Sequence, residues 1–134
     1  MPTTSTSAAL AHLGEAEAHL DRAQSHLGAS PPDYGGAAEE VLGAVRASLV
    51  ASLTEYGATP DPDAPLDVLA ERAVRNDSVL KTVVSRAMAF AERAPAIRRS
   101  ASRPSVNDRE GVETGWYTAR NLIQTVTGRL APPA

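Results

Sequence analysis

The sequence predicts an all-α protein, an up-and-down bundle of four to five helices. Two observations favour helix: the chain is rich in alanine, and only 4% of its residues are aromatic. Alanine is the strongest helix former and lets two helices approach closely. A third observation is that apolar residues recur at helical spacing between segments rich in Pro and Gly. Because 134 residues is the size of one ordinary domain, we expect a single domain over residues 1–134.

The apolar spacing and the helix-breaking residues together predict five helical segments. Their expected ranges are about 5–27, 33–56, 66–75, 78–94 and 108–130.

The first segment contains a seven-residue near-repeat. It places Leu13, Leu20 and Leu27 on one stripe, flanked by Leu10, as a bundle-facing or coiled-coil-like seam requires. Gly28 is expected to end this helix.

The second segment follows Pro32, with Asp33 as its expected cap and Gly57 as its left-handed end. A proline-rich connector then leads to the third helix. The residues expected on the inner face of the second helix are Tyr34, Ala37, Ala38, Val41, Leu42, Val45, Leu49, Leu53 and Tyr56.

The later segments are bounded by a short break and a longer loop. A break and new cap are expected at 76–78, and Pro95 is expected to end the fourth helix at Ala94. The stretch from Pro95 to Asn107 then predicts an exposed loop, after which Asn107 or Asp108 caps the last helix. The inner stripe of that helix is Val112, Trp116, Ala119, Ile123, Val126 and Leu130.

Composition excludes several classes of function. The chain has no cysteine, which removes disulfides, thiolate metal sites and a cysteine nucleophile. It shows no signal peptide and no apolar stretch of about 18 residues, so we expect a cytoplasmic protein with no membrane contact. The net charge of −3 provides no general attraction to nucleic acid. No cofactor is predicted.

Three histidines, His12, His19 and His26, lie seven residues apart on the first helix. Seven helical residues rise about 10 Å, so no two of these histidines can share a metal ion unaided. The set that could contribute to a metal site is His12, Glu15 and His19, completed from another helix or subunit. We favour the alternative, a solvated stripe beside the helix seam.

An arginine cluster is the strongest candidate for binding. Arg93, Arg98, Arg99 and Arg103 occur with no acidic residue between the first and the last, and Arg109 follows. Guanidinium groups pair bidentately with phosphate and carboxylate, so this segment suits RNA, nucleotide or an acidic protein surface. The alternative is a solvated loop whose arginines pair with Glu92, Asp108 and Glu110.

Trp116 and Tyr117 are neighbours on the last helix and point about 100 degrees apart. Trp116 belongs to the apolar stripe, so it is expected in the core. Tyr117 is then free to border the arginine segment or a dimer contact, and Arg120 is expected on the surface nearby. Tyr117 and Arg120 therefore join the five arginines as candidate binding residues.

Motifs that carry catalysis are missing. The sequence has no glycine-rich phosphate loop, no triad-like grouping of histidine and serine, and no paired acidic motif of the metal-nuclease type. Nothing in the sequence demands an enzyme.

The order of small and apolar positions over residues 8–130 resembles the HEPN family. The resemblance begins with Asp33-Tyr34-Gly35-Gly36-Ala37-Ala38-Glu39-Glu40-Val41-Leu42, running into Leu49 to Gly57. The segments Leu66 to Arg75 and Val79 to Arg99 resemble the middle helices of that family. The segment Val112 to Leu130, with Ala119-Arg120-Asn121-Leu122-Ile123, resembles its last helix.

The resemblance implies a helical bundle that is usually dimeric. Many members are ribonucleases of toxin and antiviral systems or partners of nucleotidyltransferases. Their catalytic signature is an arginine followed four to six residues later by a histidine, with both subunits contributing to one site. This chain departs from the signature, because its last histidine is His26. The arginine-rich segment Arg98 to Asn107, where a signature might lie, offers only Asn107 where a histidine is wanted. Asparagine cannot serve as a general base near neutral pH.

These observations lead to a hypothesis with two alternatives. The chain is interpreted as a non-catalytic, homodimeric, HEPN-like module that binds RNA, nucleotide or a protein partner, in a toxin–antitoxin or defence setting that the resemblance implies. One alternative is a ribonuclease or metal-dependent helical-bundle enzyme. The other is a purely structural interaction subunit, which would expose a large apolar stripe.

Overall fold

The computed structural model describes residues 4–100 and 105–131, with side chains from Ser5 onward. The helices in these residues are α1 (Thr4–Leu27), α2 (Tyr34–Glu55), α3 (Leu66–Asn76), α4 (Lys81–Arg99) and α5 (Val106–Arg129). A 3-10 turn, Ser78–Leu80, precedes α4, and the described residues contain no strand. The predicted all-α class is confirmed. None of these helices is long and apolar enough to cross a membrane.

Helix α2 is the centre of the bundle and contacts α1, α3, α4 and α5. The predicted inner face of α2 was therefore too narrow, because neighbours cover this helix on several sides. Tyr56, expected inward, is instead 47% exposed. Ser48 is fully buried and satisfies its hydroxyl by donating to the carbonyl oxygen of Ala44 at 2.8 Å. The buried residues outside the predicted face are Gly35, Ala44, Ala47, Ser48, Val50, Ala51 and Ser52.

Helices α1 and α2 lie antiparallel, and glycines of α2 make room for histidines of α1. A Cβ atom on Gly43 would lie 2.6 Å from His19 Cε1, and one on Gly36 would lie 3.0 Å from His26 Cε1. The predicted α1 seam is formed in part: Leu13 and Leu20 are buried and Leu27 is half-buried. Its expected flanking residue, Leu10, is 47% exposed, because it lies on the outer edge of the stripe.

Helices α4 and α5 are also antiparallel and approach closely at glycine. The ring of Phe90 occupies the space beside Gly115, where a Cβ atom would lie 2.8 Å from Phe90 Cγ. Five of the six residues in the predicted α5 stripe are buried, and the sixth, Leu130, is half-buried. The burial of Trp116 is thereby confirmed.

Helix α4 does not end at Ala94 as predicted, but continues through Pro95 to Arg99. The proline ring lies on the exposed side of the helix, while Ala94 and Ile97 are 0% and 3% exposed. A proline inside a helix costs about 3 kcal/mol. Burying an isoleucine side chain contributes about 1.5–3 kcal/mol, so the packing of the last turn offsets most of that cost. The segment from Pro95 to Arg99 is helix and not loop.

The helix ends show which local signals were correct. Asp33 caps α2 as predicted, since the N–H of Gly36 donates to Asp33 Oδ1 at 2.8 Å, and Gly57 has the expected positive φ of 83°. Asp77 caps the 3-10 turn. The predicted cap of α5, Asn107 or Asp108, was wrong. Ser105 is the cap, and its side chain and that of Asp108 form a reciprocal capping box.

Candidate interaction surface

The described arginines of the predicted cluster lie around one end of the bundle. Arg98 and Arg99 occupy the last turn of α4, Arg93 lies earlier on that helix, and Arg109 lies in the first turns of α5. Arg103 lies outside the described residues. The extension of α4 therefore places these side chains on helices, and not on the flexible loop that the sequence suggested.

Two of these arginines are held by acidic residues. Arg98 Nε lies 3.4 Å from Glu39 Oε1 on α2, and Arg109 Nε lies 2.9 Å from Glu113 Oε1 one turn along α5. These partners differ from the acidic residues that the sequence suggested. Solvent screens ion pairs this exposed, so they add little stability and orient the guanidinium groups without burying them.

Arg93 and Arg99 have different surroundings. The guanidinium of Arg93 lies against Gly111, where a Cβ atom would be 3.0 Å from Arg93 Nη2. Arg99 forms no ion pair within the part of the chain that the structure describes. Together with Pro95 and Arg98 it lines a shallow cavity of about 420 Å³. Two of the three residues that line this cavity are arginines, so its surface is basic.

Tyr117 and Arg120 do not belong to this end of the bundle and lie around Trp116 on α5. The indole N–H of Trp116 donates to the backbone carbonyl oxygen of Leu20 on α1 at 3.0 Å. The Tyr117 ring meets the Trp116 ring edge-on, with centroids 5.2 Å apart and planes at 87°. Arg120 Cζ lies 5.5 Å from the Trp116 ring centroid, in cation–π contact.

This aromatic group forms the middle of a groove between α1 and α5, which is named the α1/α5 groove below. Trp116 lines two adjoining cavities of about 300 and 370 Å³. Tyr117 borders one of them and is 63% exposed. The residues that line the two cavities are Glu17, Leu20, Asp21, Gln24, Leu27, Glu113, Trp116, Tyr117, Arg120, Ile123 and Gln124.

The charges of the α1/α5 groove differ between its walls. Glu17 and Asp21 lie on the α1 wall, both exposed, and neither is in an ion pair within the described residues. Arg120 lies on the α5 wall and Leu20 contributes to the apolar lining. The groove therefore places aromatic side chains beside two carboxylates that have no ion-pair partner among the described residues.

The predicted metal set of His12, Glu15 and His19 is not assembled. His12 Nδ1 lies 3.7 Å from Glu15 Oε2, whereas His19 Nδ1 lies 2.7 Å from Glu40 Oε2 on α2. Within residues 4–100 and 105–131, no three His, Cys, Asp or Glu side chains converge as metal ligands would. The physical reason is the seven-residue spacing, which separates neighbouring histidines by about 10 Å along α1. Each histidine therefore lies beside a different carboxylate.

The remaining histidine contacts strengthen the α1–α2 seam. Arg22 Nε donates to the same Glu40 oxygen at 3.0 Å, and His26 Nδ1 lies 3.3 Å from Asp33 Oδ2. Burial opposes ionisation of Glu40, but hydrogen bonds from His19 and Arg22 outweigh it and lower the pKa of Glu40. The histidines are thus used for helix packing.

A second polar cluster lies at the opposite end of the bundle and was missed by sequence reasoning. Asp77, 5% exposed, accepts from Arg129 Nε at 2.8 Å, and Tyr56 lies close enough to help lower the pKa of Asp77. The hydrogen bond from Arg129 is the largest cause of the lowered pKa of Asp77, and burial opposes it. This cluster joins the end of α5 to the α3–α4 break, which gives it a structural role.

The residues of the α1/α5 groove were also missed in part. The sequence singled out Tyr117 and Arg120 but not Glu17 and Asp21. Their four-residue spacing places both carboxylates on one face of α1, and this was the available signal. Only the position of α5 turns that face into the wall of a groove.

Comparison with protein-family models, with curated proteins and with solved structures finds no match for this chain.

Proposed function

We propose that this chain is a non-catalytic helical interaction module that binds a protein partner in the α1/α5 groove. The observation that supports the proposal most is the grouping of Trp116, Tyr117 and Arg120 around two adjoining cavities. Trp, Tyr and Arg are the residue types that dominate binding energy at protein interfaces. Trp116 is fixed by its hydrogen bond to α1, so the aromatic surface is preorganised and loses little entropy on binding.

The chemistry of the groove favours a protein over a polyanion. Among the described residues, the groove side chains without an ion pair are two carboxylates, Glu17 and Asp21, and one guanidinium, Arg120. The carboxylates outnumber the guanidinium and disfavour phosphate, while Arg98 and Arg109 at the arginine end already hold carboxylates. The likeness to HEPN proteins, and the toxin–antitoxin or defence setting that it implies, remain predictions based on the order of helices.

Site-specific photo-cross-linking tests the proposed surface. A photoreactive phenylalanine replaces Tyr117, which is 63% exposed, and the matched control replaces Val79, which is 57% exposed on the 3-10 turn. In the cells that make the protein, we expect a discrete protein adduct from position 117 and none from position 79. Equal adducts from both positions, or none from position 117, would contradict the proposal.

A second candidate function is binding of RNA or nucleotide at the arginine end. It is favoured by the basic cavity of Pro95, Arg98 and Arg99, and by the lack of an ion pair for Arg99 in the described residues. Labelled single-stranded RNA is titrated at two salt concentrations into wild type and into a variant with Arg98→Ala and Arg99→Ala. The control variant carries Arg72→Ala and Arg75→Ala on α3. Salt-sensitive binding lost only in the first variant supports this function, and equal inertness of all three proteins overturns it.

The same RNA titration reads out the enzyme alternative, because a ribonuclease shortens the labelled strand. The predicted homodimer is tested separately by light scattering at about micromolar concentration. A mass of twice 14.0 kDa that falls to 14.0 kDa in Tyr117→Ala would identify a second copy of this chain as the occupant of the α1/α5 groove.

A further inference from the structure

The α1/α5 groove has the length and open shape that suit a helix. Helices α1 and α5 run antiparallel along it, since Leu27 borders the Glu113 end and Glu17 lies near Arg120 and Gln124. Gly14 lies one turn before Glu17 on the same face of α1. From Gly14 to Leu27 the α1 wall is about 20 Å long, which is enough for roughly four turns of a docked helix.

Two exposed glycines, Gly14 on α1 and Gly128 on α5, lie beyond the residues that line the two cavities. A Cβ atom on Gly14 or on Gly128 would meet no heavy atom within 4 Å. No described neighbour therefore requires glycine at position 14, although a glycine inside a helix is destabilising relative to alanine. Gly128 lies four residues after Gln124, on the α5 wall. Because glycine has no Cβ atom, another backbone can approach closely at these two positions.

The charge of the groove selects the chemistry of its occupant. Glu17 and Asp21 project from consecutive turns of α1 and have no ion pair in the described part of the chain. They border a narrow apolar strip, the accessible edges of Leu20, Trp116 and Ile123, which are 5%, 9% and 5% exposed. Lys or Arg side chains on consecutive turns of an incoming helix would reach both carboxylates while its apolar face covered the strip.

We infer that the α1/α5 groove binds an amphipathic helix of a protein partner, with Lys or Arg along the edge that faces α1. This inference rests on the proposed function and names the chemistry of the partner. The apolar face of the helix lies on Trp116 and Ile123, and its basic edge meets Glu17 and Asp21. Arg120 covers the Trp116 ring in the free protein and lies at the opposite edge of the docked helix.

Two labelled probe peptides test the inference. Both are 18-residue amphipathic helices with the same apolar face, one with Lys and one with Glu at the edge positions. Fluorescence anisotropy with the full chain is expected to give a Kd about tenfold lower for the Lys peptide. A variant with Glu17→Gln and Asp21→Asn is expected to lose most of this preference and to reduce the salt dependence of binding.

Two further variants separate the effect of the groove's charge on peptide binding from the effect of its shape. Glu92→Gln with Glu110→Gln removes two exposed carboxylates outside the groove and should leave the Kd of the Lys peptide unchanged. Gly14→Leu adds a side chain at the Gly14 end of the groove, and its Cβ atom meets no neighbour, so circular dichroism should show an intact fold while the Kd rises about tenfold or more.

The possible outcomes separate this inference from the proposed function. Equal binding of both peptides, preference for the Glu peptide, or no binding of either overturns the basic-helix inference. If position 117 still cross-links to a protein in that case, the proposed function stands and the partner has another chemistry. If position 117 yields no specific adduct, the proposed function fails as well. A dimer that is lost in Gly14→Leu would assign the groove to a second copy of the chain and also overturn the inference.

Discussion

The indole N–H of Trp116 donates to the backbone carbonyl oxygen of Leu20 at 3.0 Å, although 96 positions separate the two residues in the chain. This contact fixes α5 against α1 and sets the orientation of the ring that both cavities of the α1/α5 groove share. The stability of the bundle and the shape of the groove therefore depend on the same side chain.

Replacing Trp116 should show how much its hydrogen bond to Leu20 contributes to the free energy of unfolding. Trp116→Phe keeps an aromatic ring but removes the donor and part of the buried area, so the free energy of unfolding should fall by about 1–3 kcal/mol. Urea denaturation followed by circular dichroism measures the change. The control Tyr117→Phe, at a position 63% exposed, should stay within about 0.5 kcal/mol of wild type. A Trp116→Phe variant as stable as wild type would contradict the structural role of this contact.

Two glycines should respond to alanine in opposite directions. Gly115→Ala forces a Cβ atom against the ring of Phe90 and should destabilise the protein by about 1–3 kcal/mol. Gly14→Ala meets no atom within 4 Å and should stabilise α1 by about 0.5–1 kcal/mol. Thermal melts of both variants check the pair. A stabilising effect at Gly115 would show that α4 and α5 are not in the close contact described here.

The extended end of α4 depends on the burial of Ile97. Ile97→Ala should cost about 2–4 kcal/mol, because the side chain is 3% exposed and its removal leaves a cavity. The neighbouring exposed substitution Ala96→Ser should change stability by less than about 0.5 kcal/mol. Equal effects of the two substitutions would mean that the segment after Pro95 is an unpacked loop, as the sequence alone suggested.

Asp77 should make stability depend on pH in the acid range. Hydrogen bonds, first of all from Arg129, lower its pKa in the folded state below the unfolded value of about 3.9. Its stabilising contribution is therefore present above the unfolded pKa and is lost as the pH falls through the folded pKa. Asp77→Asn should cost about 2–3 kcal/mol at pH 7, and much less at about pH 2.

The measurement for Asp77 is a series of urea denaturations between about pH 7 and pH 2. The difference between wild type and Asp77→Asn should shrink steadily as the pH falls. Asp63→Asn, in the exposed linker between α2 and α3, serves as the control and should show almost no difference at any pH. A gap of constant size for Asp77→Asn would show that its carboxylate charge contributes nothing.

The parts of the fold that sequence predicted are those fixed by local chemistry. The α5 stripe around Trp116 follows from helical periodicity, and Asp33 and Gly57 mark the ends of α2 because capping depends on only a few neighbouring residues. The prediction that α4 ends before Pro95 was wrong, because the tendency of proline to end a helix competes here with the burial of Ile97. That burial depends on tertiary packing, which has no local signal.

The α1/α5 groove could be predicted only in part. Tyr117 and Arg120 could be singled out from their positions on one helix. The importance of Glu17 and Asp21 depends on which helix lies beside α1, and Arg98 meets Glu39 from a helix far away in sequence. Such pairings between distant segments leave no local pattern, so the acidic partners of Arg98 and Arg109 could not be predicted.

The most direct test of the central claim uses the single tryptophan of the chain, which gives one indole N–H signal in a ¹H–¹⁵N spectrum. On addition of the Lys-bearing probe peptide, we predict that the Trp116 indole signal and the amides of Gly14 and Tyr117 shift together, while those of Gly57 and Arg99 stay in place. Shifts confined to the arginine end around Arg99, or an unmoved Trp116 signal at saturating peptide, would contradict the assignment of the α1/α5 groove as the interaction surface.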